Sequence, residues 1–140
     1  MKIFIDTNLW VRFFIQDVAD QYEITKNLLA KVEAGELRAY TSTIVLLELQ
    51  FVLQKIYKLS FAGVLEVFEI IQKVREMTII EKTNFNLALE FYRKYKVKFP
   101  DCLISSQIPQ NTILVSFDEE LSKIKEITVK KPQEILVNKS

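Results

Sequence analysis

The chain has 140 residues, 49% of them hydrophobic, and a formal net charge of +1, which predicts a single folded domain over residues 1–140 and no overall field that would attract a polyanion. Its one cysteine, Cys102, cannot form an intramolecular disulfide, and a zinc site of the cysteine type is excluded as well. Because the sequence has no histidine, histidine-activated nucleophiles and His-ligated metals are excluded, and any catalysis must use carboxylates, lysines, hydroxyls and bound ions.

A short apolar run at residues 3–5 predicts a buried first strand. The run ends at Asp6, which is followed by the hydroxyl of Thr7 and the amide of Asn8. Asp6 is therefore placed at the carboxyl end of a strand, where open parallel sheets bind their ligands. The alternative is that Asp6, Thr7 or Asn8 simply caps the helix that follows.

Helical and strand patterns alternate along the rest of the chain. Helical spacing or capping residues predict helices at residues 9–14, 22–35, 43–57, 61–75, 83–95 and 101–107, and after Pro132. Apolar and β-branched runs predict further strands at residues 38–41, 77–80, 112–116 and 127–129, the first of them short enough to be an edge or minor strand. This alternation predicts an α/β fold, a three-layer α/β/α arrangement with a mostly parallel central sheet.

Glu48 stands on the apolar face of the helix predicted at residues 43–57. Ile44 and Val52 lie one helical turn away on either side of it. An ionised carboxylate on such a face must line a cleft or be paired, because unpaired burial is very costly. A buried ion pair, for instance with Lys55, and an exposed helix edge remain alternatives.

Two more carboxylates repeat the pattern of Asp6. Asp101 opens a predicted helix after Phe99 and Pro100, and Asp118 follows the apolar strand at residues 112–116. Each acid alone is better explained as a helix cap. Taken together with Asp6 and Glu48 they are expected to converge at one sheet edge, where acids repel unless they hold a divalent cation. Carboxylates without histidine or thiolate suit Mg²⁺ or Mn²⁺, whose chemistry includes phosphodiester hydrolysis.

Four short motifs occur in a characteristic order: Ile-Asp-Thr-Asn at residues 5–8, Glu48 in its apolar helix, Phe-Pro-Asp-Cys-Leu-Ile-Ser-Ser at residues 99–106, and Val-Ser-Phe-Asp-Glu-Glu-Leu at residues 115–121. Together they resemble the PIN-domain ribonucleases, most closely the VapC-like toxins of type II toxin–antitoxin systems. The resemblance spans essentially the whole chain. It departs from the family at residues 109–111, which lack the glycine often found before the following strand.

The resemblance implies a PIN-like fold and Mg²⁺- or Mn²⁺-dependent cleavage of RNA that leaves a 5′-phosphate. It also implies a cognate antitoxin protein as partner and a homodimer. The implied metal-binding and catalytic acids are Asp6, Glu48, Asp101 and Asp118, supported by Asn8 and Ser116.

A basic segment directly precedes Asp101. Arg93, Lys94, Lys96 and Lys98 are interleaved with aromatic residues and contain no acid between them. Such a segment is expected to guide an RNA backbone and stack a base beside the acids. The alternative is a solvated helix end, where cations complement the helix dipole.

Apolar residues in the helix predicted at residues 61–75 cover more of its circumference than one core face requires. We therefore expect a second copy or a partner helix to cover the excess, although a helix clamped on two sides within the monomer is the alternative. No apolar run approaches the length of a membrane span, and Asp6 interrupts the first one, so we expect no membrane association and a cytoplasmic location.

Two other functions compete with a metal-dependent ribonuclease. In the first, the acids cap helices and the domain is a non-catalytic protein- or RNA-binding module of the same fold. In the second, the domain is a metal-dependent phosphatase or phosphoacceptor. That class usually has a second acid beside or two residues after the first, where this chain has Thr7 and Asn8, so we rank it last.

Overall fold

The computed structural model describes residues 1–137. Its strands are β1 (Lys2–Ile5), β2 (Arg38–Ser42), β3 (Thr78–Ile80), β4 (Thr112–Val115) and β5 (Thr128–Lys130). They form one sheet in the order β3-β2-β1-β4-β5, and every neighbouring pair is parallel. The predicted α/β class is confirmed, and the sheet of the described residues is entirely parallel.

Helices connect the strands and cover both faces of the sheet. They are α1 (Thr7–Ile15), α2 (Ala19–Glu33), α3 (Thr43–Lys55), α4 (Phe61–Gln72), α5 (Phe85–Tyr95), α6 (Phe99–Ser106) and α7 (Pro132–Val137), with a 3-10 helix at Glu120–Lys123. Among residues 1–137, no helix has the length and apolar character needed to cross a membrane.

The strand order assigns each helix to a face. The chain crosses the sheet in one direction from β1 to β3 and in the opposite direction from β3 to β5. Because parallel crossovers are right-handed, α1 to α4 cover one face, and α5, α6 and the 3-10 helix cover the other. Helix contacts agree, since α1 packs on α2 and α3, α5 packs on α6, and α7 returns to α2. The three-layer α/β/α prediction is therefore confirmed.

Burial follows from this double covering. Ile3, Phe4 and Ile5 of β1 are completely buried, because a central parallel strand contacts helices on both faces. A larger core lies mainly under α1 to α4, and a smaller one, which includes Phe91 and Cys102, lies under α5 and α6. The uninterrupted apolar run at residues 3–5 therefore correctly predicted a buried strand.

The suggestion that residues 38–41 form an edge or minor strand is wrong. β2 lies between β1 and β3, and the edges are β3 and β5. Its polar composition is tolerated in the interior because Thr41 is satisfied there: its hydroxyl donates to the Ile5 carbonyl at 3.1 Å and accepts from Trp10 Nε1 at 3.2 Å. A buried hydroxyl with both bonds made costs little.

Candidate active site

The carboxyl ends of β1 and β4 form the crevice of the sheet. These strands are neighbours, with Ile5 opposite Val115, yet the chain leaves β1 toward β2 and leaves β4 toward β5. The segments that follow them therefore diverge to opposite faces and leave an opening, which is where ligands bind in open α/β sheets. Asp6 follows β1 directly, and Asp118 stands three residues after β4.

Asp6 is held rigidly at this point. Only 6% of the residue is exposed, its Oδ1 accepts from the Thr7 backbone N–H at 2.8 Å, and its Oδ2 accepts from Ser116 Oγ at 2.7 Å. The first bond is a cap of α1. Capping and a place at the sheet edge are therefore both true of Asp6, and they are not alternatives.

Asn8 and Ser116 tie together the two segments that leave the crevice. Asn8 Nδ2 donates to Ser116 Oγ at 3.0 Å, and Asn8 Oδ1 accepts from the Phe117 N–H at 3.1 Å. Ser116 Oγ also accepts from the Asp118 N–H at 3.0 Å. With its bond to Asp6, Ser116 makes every hydrogen bond that a hydroxyl offers. Both side chains thus support the geometry around Asp6.

Glu48 reaches the same opening from α3. It is half-buried, and its Oε1 accepts from Thr7 Oγ1 at 3.0 Å. Within residues 1–137 it forms no ion pair with Lys55 or any other cation. The alternative of a buried ion pair is therefore wrong for the described residues, and Glu48 lines a cleft instead.

The remaining two acids differ in what they bond. Asp101 lies in the first turn of α6, whose N-cap is Lys98, and no backbone N–H of residues 1–137 donates to its carboxylate. The capping explanation of Asp101 is therefore wrong. Asp118 is exposed, and its Oδ1 accepts from the Glu120 N–H at 2.9 Å at the start of the 3-10 helix. Asp118 therefore caps a turn while it faces the crevice.

All four acids line one cavity of about 290 Å³, which we call the acidic cavity. Each comes from a different part of the chain, namely the ends of β1 and β4 and the helices α3 and α6. Two cations also line the acidic cavity, Arg12 and Lys98. The other lining residues are Thr7, Asn8, Val11, Val52, Ile56 and Tyr57.

Burial and mutual repulsion disfavour ionisation of all the carboxylates in this cavity at once. Burial raises the pKa of Asp6 to about 6, although the hydrogen bonds from Ser116 and Thr7 lower it. The negative charges of Glu48 and Asp118 raise this pKa further. Burial likewise raises the pKa of Asp101 to about 6, with the charge of Asp6 as the next cause. The pKa of Glu48 is raised by burial and by Asp101, although its Thr7 bond and the Lys98 charge lower it. Such an excess of negative charge favours a bound cation.

The carboxylates of the acidic cavity fit Mg²⁺ or Mn²⁺, but only a few of them can bind one ion directly. Among residues 1–137, no three acidic or cysteine side chains stand close enough to hold one ion together. Mg²⁺ commonly takes one or two carboxylates and keeps several waters. The arrangement therefore suits an ion bound by one or two of these acids, with the others acting through water.

Sequence reasoning did not single out Thr7, Arg12 or Tyr57 as site residues. Arg12 Nη1 donates to Asp17 Oδ1 at 2.7 Å, and the Tyr57 hydroxyl donates to Asp17 Oδ2 at 3.1 Å, so this trio fixes one rim of the acidic cavity. Arg12 stands four residues after Asn8, and this spacing places both on one face of α1. That signal was present in the sequence, whereas Tyr57 enters the site through tertiary packing.

The basic segment is divided by the fold. Arg93, Lys96 and Lys98 line a second depression, at the junction of α5 and α6. Lys94 faces elsewhere: its Nζ lies 3.4 Å from Glu126 Oε2, and the Tyr95 hydroxyl bonds the same carboxylate. The four cations expected to act together therefore form one group of three and one separate ion pair.

Comparison with known proteins places this architecture in a family. The PIN domain family model matches residues 3–127. No curated protein shows significant sequence similarity to the chain. The structure is similar to that of VapBC2 from Rickettsia felis bound to a DNA fragment from their promoter, with a TM-score of 0.67 and 21% identity over 94% of this chain and 98% of that one. It is also similar to PAE2754 from Pyrobaculum aerophilum, with a TM-score of 0.62 and 15% identity over 98% of this chain and 88% of that one. Because the family model covers most of its length, the chain belongs to the PIN domain family.

Proposed function

We propose that this protein is a Mg²⁺- or Mn²⁺-dependent ribonuclease that hydrolyses RNA phosphodiesters, and that it is the toxin of a toxin–antitoxin pair in the cytoplasm. The observation that carries the proposal is the convergence of Asp6, Glu48, Asp101 and Asp118 on one cavity from four separate elements. Membership of the PIN family supports it, since PIN domains are generally nucleases that use divalent metal ions.

In this proposal one or two of the four acids bind the ion directly and the others act through water. Asp6 fixes the position of the ion because both of its carboxylate oxygens are already oriented by hydrogen bonds. When bound, a divalent ion supplies a water of lowered pKa and stabilises charge on phosphate oxygens. Asp101 has the most freedom to accept a proton or a water, since its carboxylate receives no hydrogen bond from residues 1–137.

Two cations favour binding of an anionic substrate to this acidic cavity. Arg12 and Lys98 both line it, and Lys98 lowers the pKa of both Glu48 and Asp101 through its positive charge. Arg12 is oriented by Asp17 and Tyr57. A phosphate between these cations is held where the acids alone would repel it.

The toxin role also implies protein partners. One of the similar structures is a VapBC2 complex, and by analogy we propose a cognate antitoxin for this chain. A second copy is supported by apolar side chains that α3 and α4 leave exposed: Leu47 (62%), Phe51 (61%), Phe61 (77%) and Leu65 (47%). Exposed apolar area on adjoining helices is typical of protein interfaces.

The activity is tested with single-stranded RNA, purified protein and Mn²⁺. Asp101→Asn removes a carboxylate charge and breaks no side-chain hydrogen bond among residues 1–137, so we expect the rate to fall by roughly 100-fold or more. Asp20→Asn, on the exposed first turn of α2, is the matched control and should retain the wild-type rate. Excess chelator should abolish cleavage by the wild type.

Cleavage that is equally fast in chelator would contradict the metal-dependent mechanism. Equal rates for Asp101→Asn and Asp20→Asn would contradict the assignment of the acids. If the wild type cleaves no RNA with any divalent ion but binds RNA or a protein partner, the non-catalytic binding module is the better description.

A further inference from the structure

A second depression, of about 640 Å³, lies at the junction of α5 and α6. Its lining includes the cations Arg93, Lys96 and Lys98 and the aromatic rings of Tyr92 and Phe99. We call it the basic pocket. Neither the family match nor the four acids assign a role to it.

The cations of the basic pocket are available to a ligand. Among residues 1–137, Arg93, Lys96 and Lys98 form no ion pair with an acid. Lys96 ends α5 in the left-handed conformation, with φ of 56°, and this turn leads the chain directly into α6. The turn is what gathers cations from the end of one helix and the start of the next into one depression.

The aromatic rings provide surfaces for stacking. Tyr92 and Phe99 meet edge to face, with ring centroids 5.5 Å apart and an interplanar angle of 82°. Phe85 also meets Phe99 edge to face, with ring centroids 6.1 Å apart. Tyr92 remains 48% exposed, so ring area is left open beside the three positive charges of the pocket. Exposed aromatic rings among cations are the usual means of binding unpaired nucleotides.

Lys98 connects the basic pocket to the acidic cavity, because it lines both. A strand with one phosphate at the acidic cavity can therefore continue past Lys98 into the basic pocket without leaving the surface.

We propose that the basic pocket binds an unpaired nucleotide of the RNA strand adjacent to the phosphate at the acidic cavity, with its base on Tyr92 or Phe99 and its backbone on Arg93 and Lys96. This inference rests on the proposed ribonuclease function for the position of the cut, but binding itself is measurable without cleavage. An acidic peptide is the competing occupant. It would use the cations but would gain little from open ring faces.

The test is fluorescence anisotropy with a 5′-labelled 12-nucleotide oligouridylate, in chelator so that no cleavage occurs. Arg93→Ala combined with Lys96→Ala should weaken binding by about tenfold, and should make the slope of log affinity against log salt shallower by about 1.4, since each single-strand phosphate contact contributes about 0.7. Lys94→Ala is the matched control, because Lys94 stands beside Arg93 in sequence and faces Glu126. It should bind as the wild type does.

Stacking is tested separately with Tyr92. Tyr92→Ala should weaken binding of oligouridylate by about tenfold, within the range for loss of one stacked base, and leave the salt dependence unchanged. Tyr92→Phe, which retains the ring, should bind oligouridylate as tightly as the wild type does. An abasic oligomer of the same length should bind Tyr92→Ala and the wild type equally.

Three outcomes would overturn the proposal. In the first, the Arg93 and Lys96 variant binds as tightly as Lys94→Ala, or the wild type does not bind the oligomer. In the second, an oligoglutamate peptide displaces the oligomer at equal concentration, which would assign the pocket to a protein. In the third, a duplex of the same length binds as tightly as the single strand. Each of these can occur while Mn²⁺-dependent cleavage persists, so failure here is distinguishable from failure of the nuclease proposal.

Discussion

Replacing Asp101 by asparagine should stabilise the metal-free protein at neutral pH. The folded-state pKa of Asp101 is about 6 against an ordinary value of 3.8, chiefly because of burial and then because of the Asp6 charge. A raised carboxyl pKa means that the folded state binds the proton more tightly than the unfolded state. The associated stability is therefore complete below pH 3.8 and is lost as pH rises through about 6.

The size of the effect follows from this difference. Moving one carboxyl pKa from 3.8 to about 6 corresponds to about 3 kcal/mol. Because Asp101 is half-buried, solvent screening reduces the expected gain at pH 7.5 to roughly 1–2 kcal/mol. The asparagine side chain is neutral at every pH, and the Asp101 carboxylate accepts no hydrogen bond from residues 1–137 that the substitution could break. The variant should therefore melt roughly 3–8 °C above the wild type.

The assay is thermal unfolding of both proteins between pH 4 and 7.5, first in chelator and then in Mn²⁺. The difference in melting temperature should be small at pH 4, grow through pH 6 and level off by pH 7.5. Mn²⁺ should raise the melting temperature of the wild type more than that of the variant, because ligands stabilise the state that binds them. A variant that melts below the wild type in chelator at pH 7.5, or a difference that is the same at pH 4, would refute this reasoning.

Two further predictions concern orientation and assembly. Thr7→Val removes the hydroxyl that donates to Glu48 and should lower the rate of Mn²⁺-dependent cleavage by about tenfold. Thr7→Ser keeps the hydroxyl and should cleave at the wild-type rate. Equal rates for the two variants would show that this hydrogen bond does not affect catalysis. Phe51→Lys places a charge in the exposed apolar surface of α3 and should convert a dimer into a monomer in light scattering, while Gln54→Lys on the same helix should not. A dimer that survives Phe51→Lys would place the interface elsewhere.

Much of the fold was open to prediction from local pattern. The continuous apolar run at residues 3–5 is a consequence of burial on both faces. The hydroxyls of Ser42 and Ser60 accept from backbone N–H groups of α3 and α4, which is the usual role of a serine directly before a helix. Strand–helix alternation implied parallel strands. Parallel strands place Asp6 and Asp118 at one sheet edge whatever the strand order is, so that much was predictable, but only the pairing of β1 with β4 makes the two acids neighbours.

What the sequence determined by itself is therefore local: the order of strands and helices with bounds a few residues off, which acids follow strands, and that histidine chemistry is excluded. The tertiary structure alone decided that β2 is interior, that the crevice opens between β1 and β4, and that Lys98 faces both cavities while Lys94 pairs with Glu126. The reason is that strand order and side-chain partners depend on contacts between residues far apart in the chain. Neighbouring cations such as Arg93 and Lys94 look alike in sequence, and they are distinguished only by what packs against each of them.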